Sequence, residues 1–138
     1  MKSFVLCLAI IGILASPAKA DFEAGVKAAG RGDFATAYIE WLPLAEKGDA
    51  QSQVLIGEIL ALGLGTKQDD EEAVRWFRRA AEQNYPRGQY SLGSMYYRGQ
   101  GVPQDFEAAA RWYRPAAQKG QQEAMVSLHD LYYRGLGS

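Results

Sequence analysis

The sequence predicts an all-α protein, an α/α solenoid of 36-residue helix-pair repeats with about three pairs and a closing helix. Three observations predict it. The tetrapeptide YYRG stands at residues 96–99 and again at residues 132–135, 36 residues later. Sliding the chain against itself by 36 residues aligns almost everything after position 33 without a gap. Glycines then fall in columns: Gly57 on Gly93, Gly63 on Gly99 and Gly135, Gly65 on Gly101 and Gly137. A period of about 20–50 residues marks a stacked repeat, in which each unit buries its apolar face only against its neighbours.

The first twenty residues stand apart from this pattern and read as a cleaved signal peptide. Met1-Lys2-Ser3 is a charged start, and Phe4 to Leu14 is an apolar run of eleven residues. That is too short for a bilayer, which takes about 20. Pro17 breaks the run, and Ala18-Lys19-Ala20 has the A-x-A form of a cleavage site. A buried N-terminal helix is the alternative. Cleavage after Ala20 leaves residues 21–138 as one domain, with no membrane span expected in it and a periplasmic or secreted location.

Within the domain the pairs are expected at 22–47, 50–83 and 86–119, and the closing helix at 122–134. Phe22 to Ala29 is the first helix of the first pair, with a trimmed loop Gly30-Arg31-Gly32-Asp33 before Phe34 to Lys47. In the later pairs the first helix carries Ile56, Ile59 and Leu60, then Leu92, Met95 and Tyr96, at helical spacing. Leu128, Leu131 and Tyr132 repeat the stripe in the closing helix. Pro86 suits a first helical turn, where its missing N–H has no intrahelical partner in any case. The following Gly-x-Gly is a stop signal, because glycine accepts the left-handed conformation common after helix ends. Asp69 and Asp105 are placed to cap the second helices, and Asp69 has Glu72 at the spacing of a capping box. Ala73, Trp76 or Phe77, and Ala80-Ala81 form an apolar face there; Arg75, Arg78, Arg79 and Glu82 form a charged one, read as solvated surface.

Composition excludes several chemistries. Cys7 is the single cysteine and lies in the apolar run, so the domain folds without disulfides and has no thiol nucleophile. One histidine and no domain cysteine cannot assemble a zinc site of His/Cys type, and no metal or cofactor is expected. Without Lys2 and Lys19 the 15 basic residues become 13 against 16 acidic ones, a net charge near −3. Nucleic-acid binding shows as a basic excess, which is absent. Ser127-x-His129-Asp130 is no triad, because helical residues two apart point to different sides. Asp69-Asp70-Glu71-Glu72 sits at a helix start, where the helix dipole favours negative charge.

The motif Leu92-Gly93-x-Met95-Tyr96-x-x-Gly99-x-Gly101-Val102-x-x-Asp105, followed by Ala109-x-x-Trp112-Tyr113-x-x-Ala116-Ala117-x-x-Gly120, closely resembles the Sel-one-like repeat family. That family is an α/α solenoid related to the tetratricopeptide repeats. The resemblance implies protein–protein interaction, and its exported bacterial members often act as envelope adaptors, regulators or factors meeting host cells; with no catalytic set in the sequence, no enzyme is expected. Some cysteine-rich relatives are associated with β-lactams, but here their disulfide framework and any Ser-x-x-Lys motif are missing.

Two departures stand out. His129 occupies the column of Gly57 and Gly93, where glycine admits a close neighbour; it is read as part of an atypical end cap. Pro43 and Pro115 fall inside second helices and are expected to bend them.

A partner is expected on the concave face made by the first helices, a protein or peptide of the cell envelope. Positions that vary between periods are the candidate contacts: Gln53, Glu58, Gln89, Tyr97, Arg98, Tyr133 and Arg134. Tyrosine and arginine are enriched at binding hot spots, and an arginine can grip a carboxylate in bidentate fashion. Tyr96 and Tyr132 align with Leu60 and are expected in the core. Exposed Tyr and Trp as stacking platforms for envelope glycan are the alternative, which buried Trp41, Trp76 and Trp112 would weaken. The open end at residues 122–138 leaves self-association open.

Overall fold

The structure is a computed structural model that describes the backbone of residues 18–137 and side chains from Phe22 onward. Residues 1–17, and with them most of the expected signal segment, lie outside the described residues. Among the described residues there are seven helices and no strand. They are α1 (Ala18–Gly30), α2 (Phe34–Glu46), α3 (Ala50–Leu62), α4 (Asp70–Glu82), α5 (Pro86–Arg98), α6 (Phe106–Gln118) and α7 (Gln122–Tyr133). Each packs on the next along the chain, and α3 also touches α5, so the helices stack in sequence order. α1 starts at Ala18, ahead of Phe22 and across the expected cleavage point.

Caps and glycines cut the chain into these lengths. Asp33, Asp69 and Asp105, one per period, each accept a hydrogen bond from the backbone N–H three residues on. The capping box at Asp69 is not formed. Its own N–H donates to the Leu60 carbonyl at 2.9 Å, and the Glu72 carboxylate is taken by Arg75. Pro86 does open α5, and Gly63 and Gly99 end α3 and α5 with φ of 64° and 68°. Gly65 and Gly101 are needed twice over: φ is positive, and a Cβ would strike the backbone of Ala35 or Asp70 at the start of the preceding second helix. That contact seats each loop on the unit before it. Pro43 and Pro115 do not interrupt their helices, for α2 and α6 are each 13 residues long, as is α4, which has Arg79 in that column.

Two features hold the stack. Within each pair, a first-helix glycine lies against an aromatic ring of the second helix: Gly25 on Trp41, Gly57 on Phe77, Gly93 on Tyr113. A Cβ on Gly57 would sit 2.5 Å from the Phe77 ring, and one on Gly93 2.7 Å from the Tyr113 ring. This is the close approach expected of the glycine column. Among the described residues no second helix packs on His129, which is exposed and stacks on Tyr133 at 6.4 Å. Between pairs, the arginines of the second helices reach back or forward. Arg78 donates to the Tyr96 hydroxyl at 2.6 Å, and Arg79 lies over the Trp76 ring and donates to the Glu46 carbonyl at 3.3 Å. The charged face of α4 is therefore only partly free surface.

The core runs the length of the stack through Trp41, Ile56, Ile59, Trp76, Phe77, Leu92, Met95, Tyr113 and Leu131, all buried. Tyr96 is half-buried, but Tyr132 is 47 % exposed, which corrects its assignment to the core. Its hydroxyl accepts from Arg114 at 2.6 Å, as Tyr96 accepts from Arg78, yet among the described residues nothing covers the rest of the ring.

The glycine column yields a stability test. Gly93→Ala gains about 1 kcal/mol of helix propensity but meets the buried Tyr113 ring, and overpacking costs about 1–3 kcal/mol. We expect urea denaturation to show net destabilisation for Gly93→Ala and a larger loss for Gly93→Val. His129→Ala, free of such a ring, should stay within about 0.5 kcal/mol of the parent. A more stable Gly93→Ala protein would refute the packing account.

Candidate functional site

The exposed sides of α3, α5 and α7 line two adjoining cavities. The first, of about 270 Å³, is bounded by α5 and α7 together with Tyr113 of α6; Tyr90, Ser94, Tyr97, Arg98, Ser127 and Asp130 are among its walls. The second, of about 280 Å³, lies between α3 and α5 and is lined by Glu58, Ala61, Leu62, Phe77, Met95 and Arg98, with Tyr90, Ser91, Ser94 and Gln100 completing it. Tyr90, Ser94 and Arg98 belong to both, so the two form one groove across the first helices.

The groove inherits its shape from the core. Tyr90 stacks on Tyr113 with ring centroids 5.7 Å apart, and Ser94 and Tyr113 share a hydrogen bond of 3.1 Å between hydroxyls. Tyr97 packs its ring edge-on to Phe106 at 5.4 Å and accepts a hydrogen bond from Arg134 at 2.8 Å. Burial pushes the Tyr113 hydroxyl above its ordinary pKa, with the Ser94 hydrogen bond acting in the opposite direction. The Tyr97 hydroxyl, and then the Asp130 carboxylate, hold the Arg134 guanidinium above its ordinary value.

Charge within the groove is unevenly satisfied. Glu58 receives both Nε and Nη2 of Arg87, with contacts of 2.7–3.1 Å. Asp130 pairs with Arg134 at 3.3 Å. Arg98 is exposed and makes no hydrogen bond or ion pair with the described residues. It is the charged side chain common to both cavities.

The candidate contacts therefore divide. Glu58, Tyr97 and Arg98 line the groove, and Arg134 stands behind Tyr97 as its hydrogen-bond donor. Tyr133 does not line it: 86 % exposed, it projects at the end of α7 against His129. Gln53 and Gln89 are corrections, being 1 % and 2 % exposed. Each sits in the first turn of a first helix, wedged between two second helices. The Gln53 amide donates to the Ala45 carbonyl at 3.0 Å and accepts from Gln83 at 2.9 Å. One period on, Gln89 donates to the Ala81 carbonyl at 3.4 Å and accepts from Lys119 at 3.3 Å. They join the units and do not face a partner. Their column changes to Met125 in α7, which among the described residues has a second helix on one side only.

Tyr90 was missed by the sequence reading, although its column reads Val54, Tyr90 and Val126 and so varies like the others. Phe77 and Met95 were missed because a buried side chain can still form the floor of a groove. Catalytic geometry does not emerge. Ser127 lines the first cavity, whereas His129 lies against Tyr133 and Asp130 is engaged by Arg134. Among the described residues no group of His, Cys, Asp and Glu is placed to hold a metal ion.

Comparison with known proteins decides the family. The family model for the Sel1 repeat matches residues 50–85 and 86–121. This chain belongs to the Sel1 repeat family. A protective antigen of uropathogenic Escherichia coli with an SLR fold is 39 % identical, with a TM-score of 0.82 over 87 % of this chain and 27 % of that one. A Sel1 repeat protein from Oxalobacter formigenes is 27 % identical, with a TM-score of 0.79 over 89 % of this chain and 37 % of that one. This Sel1 repeat chain thus spans well under half the length of those two structures. Cysteine rich protein B of Helicobacter pylori, at 19 % identity and a TM-score of 0.63 over 78 % of this chain and 92 % of that one, shares the fold. No curated protein matches the chain. Sel1 repeat proteins are protein-interaction modules, and their fold is generally a non-enzymatic scaffold.

Two measurements follow from the site. Gln53→Ala removes a buried hydrogen-bonded amide, and we expect it to cost about 1–3 kcal/mol in stability while leaving the groove unchanged. Equal stability would mean the glutamine link carries nothing. The second concerns Tyr113, whose folded pKa lies above the unfolded one. Its stabilising contribution is complete below the unfolded value of about 10 and is lost as pH rises through the folded value. Thermal melts between about pH 9 and 12 should therefore fall less steeply for Tyr113→Phe than for the parent. Parallel slopes would assign the alkaline loss to other groups.

Proposed function

We propose that this Sel1 repeat domain is a non-enzymatic adaptor or regulator of the bacterial envelope, periplasmic or secreted, that binds a protein or peptide along the concave face of its first helices. One observation carries the reading: a groove runs across α3, α5 and α7, and at its centre Arg98 has no partner among the described residues. An unpaired guanidinium between two small cavities is the kind of anchor that makes an interaction hot spot. The location rests on the charged start, apolar run and A-x-A site of residues 1–20. Among the described residues no helix is long and apolar enough to cross a membrane.

Glycan binding has less support. Trp41 and Trp76 are 4 % and 7 % exposed and Trp112 is half-buried, so the tryptophans serve the core and offer little stacking surface.

Affinity capture from envelope extract tests the adaptor. The full chain, Leu62→Glu/Arg98→Glu and Tyr133→Ala are compared as bait, each checked for unchanged helicity. We expect one protein enriched by the parent, retained by Tyr133→Ala and lost from the double variant. Equal enrichment by all three would place binding away from the groove. Retention of the parent by sedimented cell wall, with no protein captured, would favour the glycan reading.

A further inference from the structure

The chemistry of the groove specifies more than a protein partner. We propose that it takes a peptide segment carrying a carboxylate next to an apolar side chain, the carboxylate on Arg98 and the apolar group in the cavity between α3 and α5. This rests on the adaptor reading above and names the class of ligand that the same site would recognise.

Size comes first. Pockets that enclose a whole small molecule run to about 300–1,000 Å³. Two adjoining cavities of about 270 and 280 Å³ each suit single side chains of a longer chain laid across them. A peptide meets that demand, since successive side chains enter neighbouring cavities while the backbone crosses the ridge between them. Ser91, Ser94 and Gln100 border the second cavity and supply hydrogen-bonding groups along that path.

Charge comes second. Two carboxylates lie in the groove and both are already paired, Glu58 with Arg87 and Asp130 with Arg134. Each of those arginines is committed to a carboxylate of the protein itself. Arg98 is not, and it borders both cavities. The groove therefore offers one uncompensated positive charge, in a chain whose overall charge is slightly negative. An anion is the complementary ligand, and a carboxylate is the form in which a peptide carries it. The planar guanidinium can hold it with two parallel hydrogen bonds.

Apolar surface comes third. Ala61, Leu62, Phe77 and Met95 face the second cavity, and Leu62 is 67 % exposed although it is a large aliphatic side chain. Phe77 and Met95 belong to the core, so the floor is rigid, whereas Leu62 loses water only when something covers it. Burying one apolar side chain there contributes about 1.5–3 kcal/mol. The equivalent stretch of α7 shows what the pairing selects. Arg134, in the column of Arg98, is tied to Tyr97 and Asp130 and is not available to a ligand.

The probes are two pools of acetylated, amidated hexapeptides, otherwise glycine and serine, titrated into the full ¹⁵N-labelled chain. In the first pool each peptide contains one phenylalanine next to one aspartate, in either order; in the second pool asparagine replaces the aspartate. We expect the aspartate pool to bind about tenfold more tightly, with shifts at Ser94, Met95 and Arg98. In Arg98→Gln that preference should fall to about twofold or less, and Leu62→Glu should weaken both pools. Circular dichroism of the variants controls for folding. Equal binding of the two pools, or a preference unchanged in Arg98→Gln, would overturn the carboxylate assignment while leaving a peptide groove. Failure of both pools to bind would overturn the ligand class, and the envelope capture would then decide the adaptor reading by itself.

Discussion

Each helix pair depends on a glycine lying against an aromatic ring. Gly25, Gly57 and Gly93 bring their helices onto Trp41, Phe77 and Tyr113 closely enough that even a methyl group would collide. Glycine weakens a helix by about 1 kcal/mol relative to alanine. The close approach offsets that by letting a large ring be buried between two backbones. Trp41 illustrates the return, for its indole N–H also reaches the Phe22 carbonyl at 3.1 Å and pins the first pair shut. With the pairs closed in this way, helix ends, loop seats and the first-helix face all repeat at a fixed spacing.

Joining one pair to the next is a different task, and polar groups take it. Gln53 and Gln89 bridge successive second helices, and Gly65 and Gly101 seat their loops on the preceding unit. A buried amide is costly unless every polar atom is matched. Here each one is, and among the described residues no buried side-chain nitrogen or oxygen is left without a partner. Residues 21–138 contain no cysteine, and the stack is held by ring and aliphatic packing, buried amides and arginine–tyrosine contacts.

The groove is a by-product of that regularity. First helices spaced by the second helices behind them leave shallow spaces between their exposed sides. What differs from one space to the next is the set of side chains that packing does not dictate. Around α5 these are Tyr90, Ser94, Tyr97 and Arg98; around α3 they are Glu58, Ala61 and Leu62. Function in a solenoid is thus written at positions free to vary, and the constant columns supply a rigid support for them.

The sequence by itself determined the period, the helix ends and the fold class. Those features are local, because a glycine that stops a helix or an aspartate that caps one acts on its own few residues, and the 36-residue copies reveal which of them matter. It also marked Glu58, Tyr97 and Arg98 as variable positions of the first helices. Only the tertiary structure decided which variable positions face outward. Gln53 and Gln89 stand in a column that changes at Met125, as Arg98 stands in one that differs at Leu62, yet they are buried, because the first turn of a first helix lies between two second helices and the last turn does not. Tyr132 repeats Tyr96 letter for letter and is nonetheless exposed, because burial belongs to the neighbour that covers a residue and among the described residues no helix packs on that side of α7. Burial and pairing are properties of what arrives from elsewhere in the chain, which is why no local pattern could have shown that Arg98, of the arginines lining the groove, is left without a partner among the described residues.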